Sequence, residues 1–107
     1  MMGMVIMGNL AWHPAAVAWR AVAPTAPSPE AIELLRRRNG TAVYRLVGAG
    51  PTGAPIIARL STLARGLLTR AVYQRILPRL PFRAPRYQAF KAESTRVAWL
   101  FLEESHS

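Results

Sequence analysis

Three glycines, Gly48, Gly50 and Gly53, stand as G-x-G-x-x-G in GAGPTG, directly after the apolar run TAVYRLV. Ahead of a helix, this spacing lets backbone N–H groups close on the pyrophosphate of FAD or NAD, because glycine accepts positive φ and leaves room for the ligand. The same chemistry needs a carboxylate about 20 residues further on to hold the ribose hydroxyls. The segment that follows, LLTRAVYQRILPRL, has helical spacing and contains neither Asp nor Glu. The alternative is a turn between two antiparallel strands, TAVYRLV and PIIARLS, in which the glycines only relieve backbone strain. The missing acid favours the turn.

The remaining reactive side chains are few. There is no Asp, and the acids are Glu30 and Glu33 early and Glu93, Glu103 and Glu104 late. Metal-assisted phosphoryl transfer or hydrolysis needs carboxylates to hold the ion and orient the nucleophile. No Cys is present, which excludes disulfides, thiolate chemistry and cysteine zinc sites. His13 and His106 stand near the two chain ends and read as surface residues with no special task. Thirteen Arg and one Lys give a net charge of +9, a balance that attracts nucleic acid and phosphorylated ligands. Arg36 to Arg38, with Arg45, Arg59 and Tyr44, read as a basic face carrying an aromatic, the outline of a nucleic-acid-binding module.

The elements that position these groups follow from pattern. With 51% hydrophobic and 18% charged residues in 107, the chain suits one small folded domain. Residues 1 to 19 carry no formal charge, but they lack a basic leader region, and Asn9, His13 and Pro14 interrupt the apolar run. No spanning helix and no membrane partner are expected, and the cytoplasm is the expected compartment. Residues 1 to 27 read as a poorly patterned segment with a Pro-rich linker, and residues 28 to 107 as the folded unit. SPEAIELLRRR opens like a helix, with Ser28 to cap, Pro29 at its first position and Glu30 at its positive end. Asn39–Gly40, between IELLRRR and TAVYRLV, is a hairpin signal that would make the same residues a strand. We read a short helix running into a strand, with the hairpin as the alternative. TAVYRLV alternates as a strand, Leu63, Leu67 and Ala71 open a helix that ends before Pro78, and strands follow near Tyr87 to Phe90 and at RVAWLFLEE. The expected fold is α+β, a small antiparallel sheet with one main helix packed on it.

In order, VYRL, VYQRILPRLP, RYQAF and WLFLEE resemble the N-terminal lobe of the aminoglycoside phosphotransferase and choline kinase-like family, over about residues 32 to 105. The resemblance implies a kinase-like N-lobe: a hairpin, a third strand bearing a lysine, a helix, and two strands leading to a hinge that holds adenine. It implies ATP as the cofactor. Asn39, Gly40 and Thr41 match the turn over the phosphates, and Arg59 falls at the lysine position. Phe101, Leu102, Glu103 and Glu104 match the hinge, whose backbone would meet adenine. An Arg keeps the charge, but its planar fork is not an ammonium point charge. Where the family's helix supplies a glutamate to pair with the lysine, this helix offers Thr69, Ala71 and Gln74. The family's base and Mg²⁺ ligands lie in a C-terminal lobe, which becomes the missing partner. The expectation is therefore a truncated lobe ending at the hinge, binding nucleotide at most, holding no Mg²⁺ and transferring no phosphate alone.

Overall fold

In the computed structural model, residues 4–6, 10–81 and 85–104 are described. Asn39 and Gly40 have φ values of 48° and 78°, the paired positive angles of a type I′ turn, whose twist suits two adjacent antiparallel strands. The turn joins Ala31–Arg38 to Thr41–Val47, which pair from Ala31 opposite Val47 to Arg38 opposite Thr41. The short helix expected at SPEAIELLRRR is thus replaced by a strand. The local capping signals of Ser28, Pro29 and Glu30 are outweighed by the ladder and by Ile32, which the strand buries completely. A bulge between Leu34 and Arg36 breaks the register near the turn.

In chain order the elements are β1 (Met4–Ile6), α1 (Pro14–Val22), β2 (Ala31–Arg38), β3 (Thr41–Val47), β4 (Ile56–Thr62), α2 (Leu63–Ala71), β5 (Arg86–Ala92) and β6 (Val97–Glu103). All six strands form one antiparallel sheet in the order β1-β2-β3-β4-β6-β5. The single crossover is the path from β4 through α2 to β5, which places β6 between β4 and β5. α2 runs on through a wide π turn at Val72–Ile76 and a tight turn at Leu77–Arg79. Pro78 has no N–H to continue a regular ladder.

Period-two alternation divides the sheet into two apolar faces. One carries Ile32, Tyr44, Leu46, Ile56, Ala58, Trp99 and Phe101, and α1 covers it with Ala15, Ala16, Ala18 and Trp19. The other carries Ser61, Ala98 and Leu100, over which α2 lies at Gly66. A Cβ at Gly66 would stand 3.1 Å from Phe90 and 3.5 Å from Ala98, so glycine is what lets the helix approach the sheet. Full burial of side chains such as Trp99, Phe101 and Leu46 contributes about 1.5–3 kcal/mol each.

The fold is therefore the expected α+β arrangement of an antiparallel sheet with one main helix, α2, and it adds a second helix, α1, that the sequence pattern does not announce. Residues 14 to 22 pack into the same core as the strands, so this part of the N-terminal segment belongs to the folded body.

Candidate functional site: the face of the sheet beneath α2

Arg59 sits at the middle of β4, between Val43 of β3 and Leu100 of β6. Alternation puts it on the face that α2 partly covers, together with Ile57 and Ser61. Its Nε is buried and, among the described residues, has no hydrogen-bond partner. Among the described residues, no carboxylate lies within ion-pair distance of it. Of the helix groups facing this region by sequence, Thr69 turns its hydroxyl back to donate to the Arg65 carbonyl at 2.9 Å, and Gln74 lies at the far end of the helix. Arg59 is thus a cation set into a central strand with one donor unsatisfied.

On the adjacent strand, β3, Arg45 behaves differently. Its Nε and Nη2 donate to Glu104 Oε1 and Oε2 at 2.9 and 3.0 Å, and Nη1 donates to Glu33 Oε1 at 3.2 Å. This planar two-pronged pairing fastens the chain leaving β6 to β2 and β3. The hydrogen bond to Glu104 raises the Arg45 guanidinium above its usual range, partly offset by desolvation and reinforced by the bond to Glu33. The sequence pattern groups Arg45 with Arg59 and Tyr44 as one basic face. Tyr44 instead points to the opposite face, 6% exposed in the core, and Arg45 is neutralised by two carboxylates. Only Arg36, Arg37 and Arg38 remain as an exposed cationic run, with Arg37 donating to the Tyr44 hydroxyl at 3.2 Å.

Asn39, Gly40 and Thr41 lie at one end of the hairpin. Asn39 and Gly40 are exposed, whereas Thr41 is buried. The expected hinge lies at the other end. Phe101 and Leu102 are buried within β6 and paired on both sides, with Ala58 and Ala89 and with Ile57 and Tyr87. Glu103 is opposite Ile56 and Arg86, and the Glu104 N–H donates to the Pro55 carbonyl at 2.9 Å. The ladder and this bond hold the backbone over residues 101 to 104, so these positions end a central strand rather than present free edges to a base. Along β4, Arg59 lies three residues from Ile56, about 10 Å at the rise of a strand. The turn and the strand exit therefore flank the guanidinium from opposite ends.

The glycine loop makes no such contribution. It joins β3 to β4 as an antiparallel pair, and no helix opens on it, so the FAD or NAD arrangement through GAGPTG is absent. Gly48 and Gly53 take positive φ. The Gly50 N–H donates to Ala54 O at 2.8 Å and the Gly53 N–H to Gly50 O at 2.9 Å, which closes the loop on itself. The loop tucks Ala49 into the core, where its carbonyl accepts from the Trp19 indole N–H at 2.9 Å. GAGPTG therefore seats α1.

His13 has a structural task that the sequence reading does not anticipate. Its Nδ1 accepts from the Ala15 N–H at 3.1 Å as the cap of α1, and its ring meets Tyr44 edge-on with centroids 4.7 Å apart. Burial lowers its pKa, and the positive charge of Arg37 lowers it further. His106 lies outside the described residues. Among the described residues there is no group of three or more His, Cys, Asp or Glu arranged to hold a metal. Nor is any described helix long and apolar enough to cross a membrane. In comparisons with known proteins, no family, no curated protein and no solved structure matches this chain.

Proposed function

We propose that this chain is the nucleotide-binding lobe of an ATP-dependent small-molecule phosphotransferase, with ATP lying along the sheet face beneath α2. The observation that carries the reading is Arg59, a cation at the centre of the third strand of the hairpin-strand-helix-strand-strand order, with a buried Nε that no group among the described residues satisfies. A polyphosphate oxygen accepts readily from such a guanidinium. Asn39, Gly40 and Thr41 would lie toward the phosphates and the exit of β6 toward adenine. No carboxylate stands by Arg59 to orient it, and the 107 residues contain no Asp. We assign binding alone to these residues, and phosphoryl transfer with Mg²⁺ would need carboxylates from a partner lobe.

Titration with ATP followed by calorimetry tests this. The wild-type chain is expected to bind with a Kd near the millimolar range, about −4 kcal/mol. Arg59→Met should lose at least about tenfold, and Arg59→Lys should retain most of the affinity. Equal affinity in wild type and Arg59→Met overturns the assignment.

A second reading rests on the exposed run Arg36 to Arg38 at the hairpin tip, a basic contact for nucleic-acid phosphates. Binding of single-stranded DNA that falls steeply with rising salt and is lost in Arg37→Glu would favour it. Absence of binding at low salt removes it.

A further inference from the structure

A cleft of about 560 Å³ opens between the last turns of the α2 run and the start of β5, lined chiefly by Tyr73, Gln74, Leu77, Leu80, Arg86 and Tyr87. Its size lies within the range that bound ligands and anchoring side chains occupy. The π turn at Val72–Ile76 and the tight turn at Leu77–Arg79 form one wall, and the first residues of β5 form the other. None of the residues assigned above to nucleotide contributes to it.

Three observations describe what would fill it. The wall sets the aromatic rings of Tyr73 and Tyr87 and the aliphatic Leu77 and Leu80 beside polar surface that includes Gln74 and Arg86. The apolar surface does not stop at the cleft: Ile76 is 52% exposed and Leu80 is 39% exposed beside it. The surround is cationic without relief. Arg86 lines the cleft, Arg75 and Arg79 are exposed on the turns that form its other wall, and no acid occurs anywhere between Glu33 and Glu93. Tyrosine and arginine are among the side chains that dominate protein-protein affinity, and charge complementarity determines the sign of the partner. A concave cleft with a continuing apolar rim suits an inserted side chain and its neighbours better than a flat lipid surface.

We propose that this cleft docks an acidic segment of a partner protein, which inserts an aromatic or aliphatic side chain between Tyr73, Leu77 and Tyr87 and places its carboxylates against Arg75, Arg79 and Arg86. The proposal does not depend on the nucleotide reading.

Fluorescence anisotropy with the full chain tests it. The probe is a fluorescein-labelled peptide, Glu-Glu-Leu-Leu-Glu-Glu-Phe-Leu-Glu-Glu-Leu-Glu, beside one with Gln for every Glu and one made of Glu alone. The first should bind at least about tenfold more tightly than either control, a difference of about 1.4 kcal/mol. Raising salt from ~0.05 to ~0.5 M should weaken it as the Debye length shortens. Leu80→Ser and Arg79→Glu change exposed side chains, should keep the wild-type melting temperature, and should each weaken the probe at least about tenfold, whereas Arg96→Glu, remote from the cleft, should not. Equal binding of the all-Glu peptide, or equal loss in Arg96→Glu, reduces the surface to general electrostatics and overturns the proposal. Displacement of the peptide by phosphatidylserine vesicles reassigns the surface to lipid and overturns it also.

Discussion

Arg59 carries opposite consequences for stability and for binding, and this makes it separable from a structural residue. A buried donor left unsatisfied costs about 1–3 kcal/mol relative to a paired or apolar group. Arg59 Nε is in that position, while its neighbours Val43 and Leu100 are apolar. Arg59→Met keeps an unbranched side chain of similar length and removes the orphaned donor. The folded state should therefore be unchanged or more stable by up to about 1–3 kcal/mol, even as ATP affinity falls. Thermal and urea melts check this directly, and a loss of more than about 1 kcal/mol would mean that the guanidinium holds the sheet together through contacts other than hydrogen bonds. Arg45 is the natural contrast. Its fork ties β3 to Glu33 and Glu104, and because its pKa is raised, that stability is complete below the ordinary arginine range and is lost only above it. Arg45→Met should destabilise where Arg59→Met does not.

At the scale of elements, β3, α2, β5 and β6 are legible from pattern (alternation in TAVYRLV, helical spacing from Leu63, an apolar aromatic run in VAWLFLE), whereas β4 could equally open a helix and is favoured as a strand only by the missing acid. The edge strand β1 falls in a segment read as poorly patterned, and two further elements are misread for different physical reasons. The residues of β2 carry both helix-start and hairpin signals, and only the distant register with β3 decides between them. α1 buries three alanines and Trp19, so no stripe of large apolar residues marks it. Pro14, which interrupts an apolar run in the sequence, is the first residue of that helix, and His13 caps it. The site shares this limit. Arg59 can be placed on a strand from alternation, but its lack of a partner depends on where Glu33 and Glu104 go, and both go to Arg45. The cap makes α1 sensitive to acid. His13 is held neutral by burial and by Arg37, its one charged neighbour of note, while Tyr44 packs on its ring. A lowered pKa means that the unfolded chain binds the proton more readily, so the contribution of His13 is fully present above the ordinary histidine value of about 6.5 and is lost as pH falls below it. Protonation also removes the acceptor for the Ala15 N–H. Between about pH 7.5 and pH 5, Trp19 emission should shift to the red as α1 loosens, on the scale of a lost cap, about 1 kcal/mol. His13→Asn keeps an acceptor without the titration and should flatten this pH dependence. An unchanged profile in that variant would assign the transition to another group.

For the molecule as a whole, the charge distribution opposes its compactness. The chain carries +9, and among the described residues only Arg45 and Lys91 are paired with carboxylates. Salt acts on both terms, weakening the ion pairs and relieving the repulsion between unpaired cations. The ion pairs are partly exposed, and such pairs contribute about 0–1 kcal/mol each, so their loss is small. The repulsion is shared by all the other arginines and acts over about 10 Å at 0.1 M ionic strength, a distance that spans neighbouring strands and the surface of α2. Repulsion is the larger effect, and it destabilises the folded state more than the expanded one. The melting temperature should therefore rise with sodium chloride between ~0.01 and ~0.2 M, by several degrees if screening recovers about 1 kcal/mol in a domain of this size. ATP or the acidic peptide at low salt should raise it further by binding the folded chain alone. A melting temperature that falls over the same range of salt would show that the Glu33–Arg45–Glu104 pairing outweighs the repulsion, and the basic surface would then be a feature that the fold tolerates without strain.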